Sequence, residues 1–330
     1  MAALYSTSAV VILLFLITLG MWGMGWYSLF GVVIPYLAFV LFIAGFIYRV
    51  LKWASSPVPF HIPTICGQQK SLPWIKASRV DSPYTTGGVV ARLALEILLF
   101  RSLLKNEKVE LQEPTKILFK TSTLLWLGAM AFHWSFLIIL LRHLRLFLEP
   151  VPSLIVILQR VDSVLQGLFP VLYITDIIIV IALAYLFLRR VIYPQIRYIS
   201  LPSDYFVILI IAGIAFSGIL MRLIYRVDLV QVKGWVLSML RFHPVLPQGV
   251  NLLFYIHLFF ISLLIAYFPL SKLMHMAGIF LSPTRNLMNT SRHSRHINPW
   301  DHPVKVHTYE EYEDEFRQPM KEVGLPVDKE

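Results

Sequence analysis

Apolar residues run through this chain in blocks too long for the amphipathic stripes of a soluble protein. A helix rising ~1.5 Å per residue needs ~20 mostly apolar residues to cross the hydrocarbon of a bilayer. Six segments reach that length: residues 7 to 25, 29 to 49, 118 to 142, 166 to 188, 204 to 224 and 252 to 276. The turn "GMWGMGW" separates the first two. Pro35, Pro170 and Pro269 lie inside apolar runs, where neighbouring helices can cover the carbonyls they free. The pattern predicts an all-α fold, a polytopic membrane bundle of about six transmembrane helices.

The polar positions divide the remainder. Residues 1–49 hold two N-terminal spans, and residues 50–117 form the longest connection. It opens Pro-rich ("SSPVPFHIP") and closes with "ARLALEILLFRSLLKNEK", whose apolar residues recur at helical spacing around Arg92, Glu96 and Arg101. Such a helix lies along the membrane interface or packs on a partner. Four further spans make a core over 118–283, and 284–330 is a polar tail, first basic ("RNLMNTSRHSRH") and then acidic ("YEEYEDEF"). That tail reads as disordered or as a docking segment. Most of the 29 lysines and arginines, "RRVIYPQIR" among them, flank one side of the spans. By the positive-inside rule this side, with the N-terminus and the tail, is cytoplasmic, and the localisation expected is the cytoplasmic (inner) membrane.

Composition agrees with the pattern: 57% of the 330 residues are hydrophobic and 15% charged. No charge occurs before Arg49, whereas a secretory signal needs a basic region ahead of its apolar core, so the first run is expected to be a retained span. The net charge of +10 fits topology signals flanking the spans, with contacts to membrane lipids and no nucleic-acid module. Cys66 is the only cysteine, which excludes an intrachain disulfide, a cysteine-ligated iron–sulfur cluster and a c-type haem attachment.

Candidate chemistry enters with the histidines. Four of the ten lie in or at the ends of spans: His133 and His143 on the third, His257 and His275 on the sixth. An imidazole in lipid normally has a partner, either a neighbouring helix or a functional group. The third and sixth spans are expected to run antiparallel, which places His143 with His257 near the outer face and His133 with His275 nearer the cytoplasm. Two stacked bis-histidine haems require this arrangement, with one imidazole from each helix on each iron. The ten-residue step is ~15 Å and the eighteen-residue step ~27 Å along a helix, so one metal with ~2 Å bonds cannot use both histidines of one helix. Eighteen residues return to one helix face while ten leave the rings about 80° apart, so a bend at Pro269 and tilt are expected.

At these residues the sequence resembles a known family. "FH…RH" and "IHLFFISLLIAYFPLSKLMH", with "IPYLAFVLFIAGFIYR", "RRVIYPQIR" and "KGWVLSMLRFH", are similar to the cytochrome b (gamma) subunit of respiratory nitrate reductase over about residues 34 to 283. In its extra N-terminal span, long loop and tail "NPWDHPVKVHTYEEYEDEF" the chain looks like the membrane cytochrome b subunits of sulfite-reduction-associated electron transport complexes. The resemblance implies two haem b groups with His133, His143, His257 and His275 as axial ligands. It also implies oxidation of menaquinol (to menaquinone), and transfer of electrons to a heterodisulfide-reductase-like iron–sulfur subunit within a membrane redox complex. The lysine that serves the quinol site in nitrate reductase has no counterpart here, and Arg160 and Asp162 in "LQRVDS" are the nearest substitutes.

The remaining polar residues carry paired readings. Arg142 and Arg145 flank His143 and are expected to neutralise haem propionates or to anchor the helix at the interface. Arg222 and Arg226 end the fifth span with the same two readings. Asp176 in "VLYITDIIIV" is expected to be captured by a neighbouring Ser, Thr or Tyr, with a proton-relay role as the alternative. His61, His243, His293, His296, His302 and His307 are expected to be solvated or packing residues, and Cys66 structural. A transporter would show paired intramembrane charges and broken-helix repeats, and neither is legible in the sequence. A haem-free anchor would leave the matched histidines without a purpose.

Overall fold

The computed structural model describes residues 1–56, 67–105, 107–112, 116–167, 172–289, 303 and 306–329, without the side chains of 107–112, 116–121 and 165. Cys66, His61, Pro170, His293, His296 and His302 lie outside the described residues.

The chain begins with α1 (Ala2–Met24), ended by Gly25 in the left-handed conformation at φ 64°, and a π-helical turn over Leu29–Val33 leads into α2 (Ile34–Ala54). The connection after α2 holds α3 (Thr86–Leu99), α4 (Arg101–Leu104) and a hairpin of β1 (Glu107–Gln112) and β2 (Lys116–Thr121). Then come α5 (Thr123–His143), α6 (Ser153–Asp162), α7 (Ile174–Ile192), α8 (Pro194–Ile199), α9 (Pro202–Leu223) and α10 (Leu229–Leu240). The chain closes with α11 (Leu252–Tyr267), α12 (His275–Leu281), α13 (Pro283–Asn286) and α14 (Tyr309–Glu322).

The fold is an all-α polytopic bundle, as expected from the apolar blocks. Five stretches are long and apolar enough to cross a membrane: Ala2–Met24, Leu29–Ala54, Thr123–Leu146, Pro202–Leu223 and Leu252–Leu270. Helix α7, read from the sequence as a further span, has 19 residues but carries Asp176 in its first turn and Arg189 and Arg190 in its last, and falls outside these five. Two boundaries differ from the hydropathy reading. The third span starts at Thr123 instead of 118, because Lys116–Thr121 pairs as β2 with β1, Val109 opposite Phe119. The fourth starts at Ile174 instead of 166, after a 3₁₀ turn over Val164–Gly167. Leu118 is apolar and the stretch from Gln166 to Tyr173 mostly so, and apolarity does not report where the hydrogen-bond pattern changes.

Close packing runs α5–α7–α9–α11–α2, with α1 against α9 and α11. One core joins Ile17 and Met21 to Phe30, Trp235, Phe254 and Leu258, and a second joins Ile179, Leu183 and Ile211 to Phe132 and Phe136. The outward faces of α1 and α2, such as Phe15, Phe39 and Val40, are exposed, as lipid-facing surfaces are. Where the sixth span was expected to bend at Pro269, it breaks. Helix α11 stops at Tyr267, Phe268–Leu270 forms a 3₁₀ turn, and Ser271 is extended at φ −106°, ψ 176°. Proline has no N–H for the next turn, and the side chain of Ser271 instead accepts a hydrogen bond from the Leu273 N–H at 3.1 Å. Gly45 on α2 lets this break approach, since a Cβ there would stand 2.8 Å from Pro269 Cβ.

The 67–105 connection is a docked unit. Arg101 and Lys105 both pair with Asp81, and Arg285 pairs with Glu96 at 3.1 Å. Burial alone would raise the Asp81 carboxyl, but its bonds to Arg101 and Lys105 outweigh that and hold it down at about 2. The expected interfacial helix α3 is tied to the bundle at its C-terminal end, where Trp126 and Trp134 of α5 donate indole N–H bonds to the Leu99 (2.7 Å) and Leu98 (3.2 Å) carbonyls.

Candidate functional site

The structure places the four span histidines in two pairs. His143 is the last residue of α5 and His257 the sixth of α11, at the same end of the bundle, where Ser217 of α9 meets His257 and Arg222 of α9 joins Arg142, beside His143, through Asp176. His133 in mid-α5 meets His275, which opens α12 beyond the Pro269 break. Their ring centres are 6.1 Å apart with planes at 82°. Two imidazole nitrogens each ~2 Å from one iron, with about 1.1 Å from each nitrogen to its ring centre, require ~6.2 Å between centres. Because α12 starts anew after the break, His257 and His275 do not share one helix, and the single-helix offset expected from the spacing does not apply.

Hydrogen bonding sets the tautomers. Nδ1 of His133, His143 and His275 faces the carbonyls of Ala129 (2.8 Å), Ile139 (2.7 Å) and Lys272 (2.8 Å). A carbonyl only accepts, so each Nδ1 carries the proton and each Nε2 keeps its lone pair. His257 Nδ1 meets Ser217 Oγ at 2.9 Å, while that hydroxyl is 2.6 Å from the Gly213 carbonyl. The single Ser217 proton goes to the carbonyl, so His257 also donates from Nδ1. Metal-bound histidines commonly show this arrangement. His133, His143 and His257 are half-buried and His275 exposed. Gly218 beside Ser217 keeps α9 close, as a Cβ there would stand 3.2 Å from His257 Cε1.

The other expected site residues divide into two groups. Arg142 is buried between two carboxylates, 3.1 Å from Asp162 Oδ2 and 3.5 Å from Asp176 Oδ1, with its Nε left without a hydrogen-bond partner among the described residues. Asp162 accepts the Thr175 N–H (2.9 Å) and hydroxyl (2.7 Å), and Asp176 accepts Arg222 at 2.7 Å. Both guanidiniums lie over the Tyr173 ring, at 3.8 Å for Arg142 and 4.2 Å for Arg222. This network ties α5, α6, α7 and α9 together beside His143. Asp176 is therefore held by arginines, and not by the Ser, Thr or Tyr hydroxyl expected, because it sits in the first turn of α7 where α9 ends. Arg145 and Arg160 belong to the second group. They line an open cavity of about 290 Å³ with Val151, Val156, Gln159 and Ser163, and Arg145 donates to Gln159 Oε1 at 2.9 Å. Arg160 and Asp162 thus part company, one toward the cavity and one into the buried network. His243 is exposed, and His307 lies 3.9 Å from Glu311 in an exposed position.

Sequence reasoning missed two contributors. Ser217 could have been noticed as a polar residue beside a glycine in an apolar run. Phe100 had no signal: it sits between α3 and α4 at φ 48°, its ring 4.8 Å from His133, where only the docking of the connection brings it.

The fold and this site define a class, a polytopic helical membrane protein whose antiparallel α5 and α11–α12 arms present four histidines in two facing pairs. Residues 89–293 match the nitrate reductase gamma subunit family, and the chain belongs to that family. It is similar to the Hdr-like menaquinol oxidoreductase cytochrome b-like subunit of Archaeoglobus fulgidus, with 44% identity over 280 residues, 83% of each chain. The protein of the same description from Archaeoglobus profundus is 41% identical over 275 residues, 81% of each chain.

Proposed function

We propose that this chain is a dihaem membrane cytochrome b that takes electrons from menaquinol and passes them across the bilayer to a cytoplasmic iron–sulfur partner. The observation that carries this reading is the pairing of four Nδ1-protonated histidines, one pair with the ring separation that a shared iron requires. Two similar proteins described as menaquinol oxidoreductase subunits supply the substrate. His143 with His257 would hold one b haem and His133 with His275 the other. When bound, each haem supplies a one-electron carrier.

The chain's residues do the remainder. Arg142 Nε is a buried donor without a partner, the kind of group that a propionate satisfies, while Asp162 and Asp176 keep its guanidinium in place. The cavity beside Arg145 and Arg160 offers the amide of Gln159, the Ser163 hydroxyl and two cations to the oxygens of a quinol head group, with Val151 and Val156 against its ring. Arg160 at its edge is exposed, so protons leaving a quinol there would have a route out of the cavity. With the N-terminus and tail cytoplasmic, electrons moving inward oppose the membrane potential at ~2.3 kcal/mol per 100 mV. A role in sulfite or sulfate respiration follows from the family resemblance of the loop and tail.

The test is a reduced-minus-oxidised visible spectrum of the purified chain with haem b counted by pyridine haemochrome. Two low-spin b haems per chain, reduced by a menaquinol analogue, are expected. No haem in folded, detergent-extracted protein would move a transporter or anchor reading to the front.

A further inference from the structure

The tail ends in a helix that is folded by its own contacts. Thr308 Oγ1 accepts the Glu311 N–H at 3.2 Å, and Glu311 Oε2 accepts the Thr308 N–H at 3.1 Å, a reciprocal cap on α14. At the other end the chain turns back. Glu313, 1% exposed, accepts the backbone N–H groups of Asp328 and Lys329, both at 2.8 Å. Helices of this length are marginal in water, so caps at both ends are what holds it ready.

This preformed helix displays a ridge. At ~100° per residue, Tyr309, Tyr312, Phe316 and Val323 fall within an arc of about 60°. They are 52%, 48%, 39% and 72% exposed, and the Tyr312 and Phe316 rings lie 4.9 Å apart. Water-facing aromatic ridges on a folded helix mark interaction surfaces. Charge then selects the occupant. Helix α14 carries six acidic and two basic side chains, Arg317 and Lys321, so an anionic leaflet repels it. Within this chain Arg101 and Lys105 are engaged with Asp81, and Arg285 with Glu96.

We infer that α14 is a docking helix for a soluble protein subunit that offers an apolar groove rimmed by lysine and arginine. The Tyr309–Tyr312–Phe316 ridge fills the groove at the i, i+3, i+7 spacing of helix-in-groove recognition, and the exposed Glu315 beside the ridge meets the rim. Tethering to the membrane chain raises the effective concentration of the helix to the millimolar range, so a shallow groove suffices. The inference stands on the tail alone and does not require the haem reading.

The test places the photoreactive p-benzoylphenylalanine at position 316 of the full chain in its native membranes, with mass spectrometry of the cross-linked peptides. A cross-link to one distinct polypeptide, mapped to an apolar segment with lysine or arginine neighbours, is expected. Tyr312→Glu should reduce that cross-link at least tenfold, Tyr312→Phe should keep it, and 0.5 M salt should weaken it. Cross-links to lipid, to this chain's own residues or to nothing would each overturn the proposal. The haem spectrum of the same membranes is read separately, so loss of docking and loss of the cytochrome reading remain distinguishable.

Discussion

The two histidine pairs are built from the same residue type and surrounded by opposite materials. His143 and His257 sit where α5, α7 and α9 converge, against a serine hydroxyl and a network of two arginines and two aspartates. His133 and His275 sit among rings, with Phe100 at 4.8 Å and Phe132 at 5.0 Å from His133, and His275 is exposed. A one-electron carrier takes its potential from ligand hydrogen bonds, burial and nearby charge. The charged pair has several adjustable partners. The aromatic pair has backbone carbonyls and a surface open to a docking protein. The contrast suits an entry end that manages protons and an exit end that only hands on electrons.

The comparison breaks most completely if the pairing is wrong. His257→Ala and His275→Ala should each lower haem content from about two per chain to about one, because an iron left with one imidazole is no longer six-coordinate. Within a pair the losses should not add: His133→Ala with His275→Ala should retain as much haem as either alone. Across pairs they should add, so His257→Ala with His275→Ala should retain none. Pyridine haemochrome counts on the purified variants decide this, and additive loss within a pair would refute the arrangement.

A smaller effect tests the charged surroundings. Asp176→Asn leaves Arg222 without its 2.7 Å partner and removes one of the two carboxylates that hold Arg142. Breaking a buried pair costs about 3 to 5 kcal/mol, and with Arg222 32% exposed the lower end applies. The detergent-solubilised variant is expected to unfold roughly 5–10 °C lower, at ~2–4 °C per kcal/mol for a chain of this size. Of the two haem signals, only that of the His143–His257 pair should shift. A substitution that left the unfolding temperature unchanged would show the network to be solvated.

How much of this was legible in the sequence depended on the range of the signal. Five of the six expected spans and the meeting of His133 with His275 could be read because helix length and lipid both act over ~20 residues. The onset of α5 could not, because the apolar Ile117–Phe119 segment is strand and the hydropathy average does not see the difference. Asp176 was recognisable as an anomaly, but its partners Arg142 and Arg222 come from two other helices and meet it only after packing. Arg160 and Asp162, two residues apart, were read as one site. A helical step of ~200° sends them to opposite sides of α6, one into the network and one to the cavity. The tail's mixed charge suggested docking or disorder, and only the Thr308–Glu311 and Glu313–Asp328 bonds show that residues 308–328 are folded.

The smallest expected effect sharpens the contrast most. Of the four groups that receive the histidine Nδ1–H, only Ser217 is a side chain, so only there can a substitution remove the acceptor without touching a ligand. Ser217→Ala deletes a hydrogen bond worth about 1 kcal/mol. A histidine that donates its Nδ1–H is a stronger base toward the iron and favours the ferric state. Losing the acceptor should therefore raise that haem's midpoint potential, by up to ~40 mV when 1 kcal/mol is converted for one electron. Haem content should stay at about two per chain, and the signal of the His133–His275 pair should not move, since its acceptors are the Ala129 and Lys272 carbonyls. Potentiometric titration resolves such a step. A shift in both signals, or in the aromatic pair alone, would mean that Ser217 reaches the irons by another route than His257.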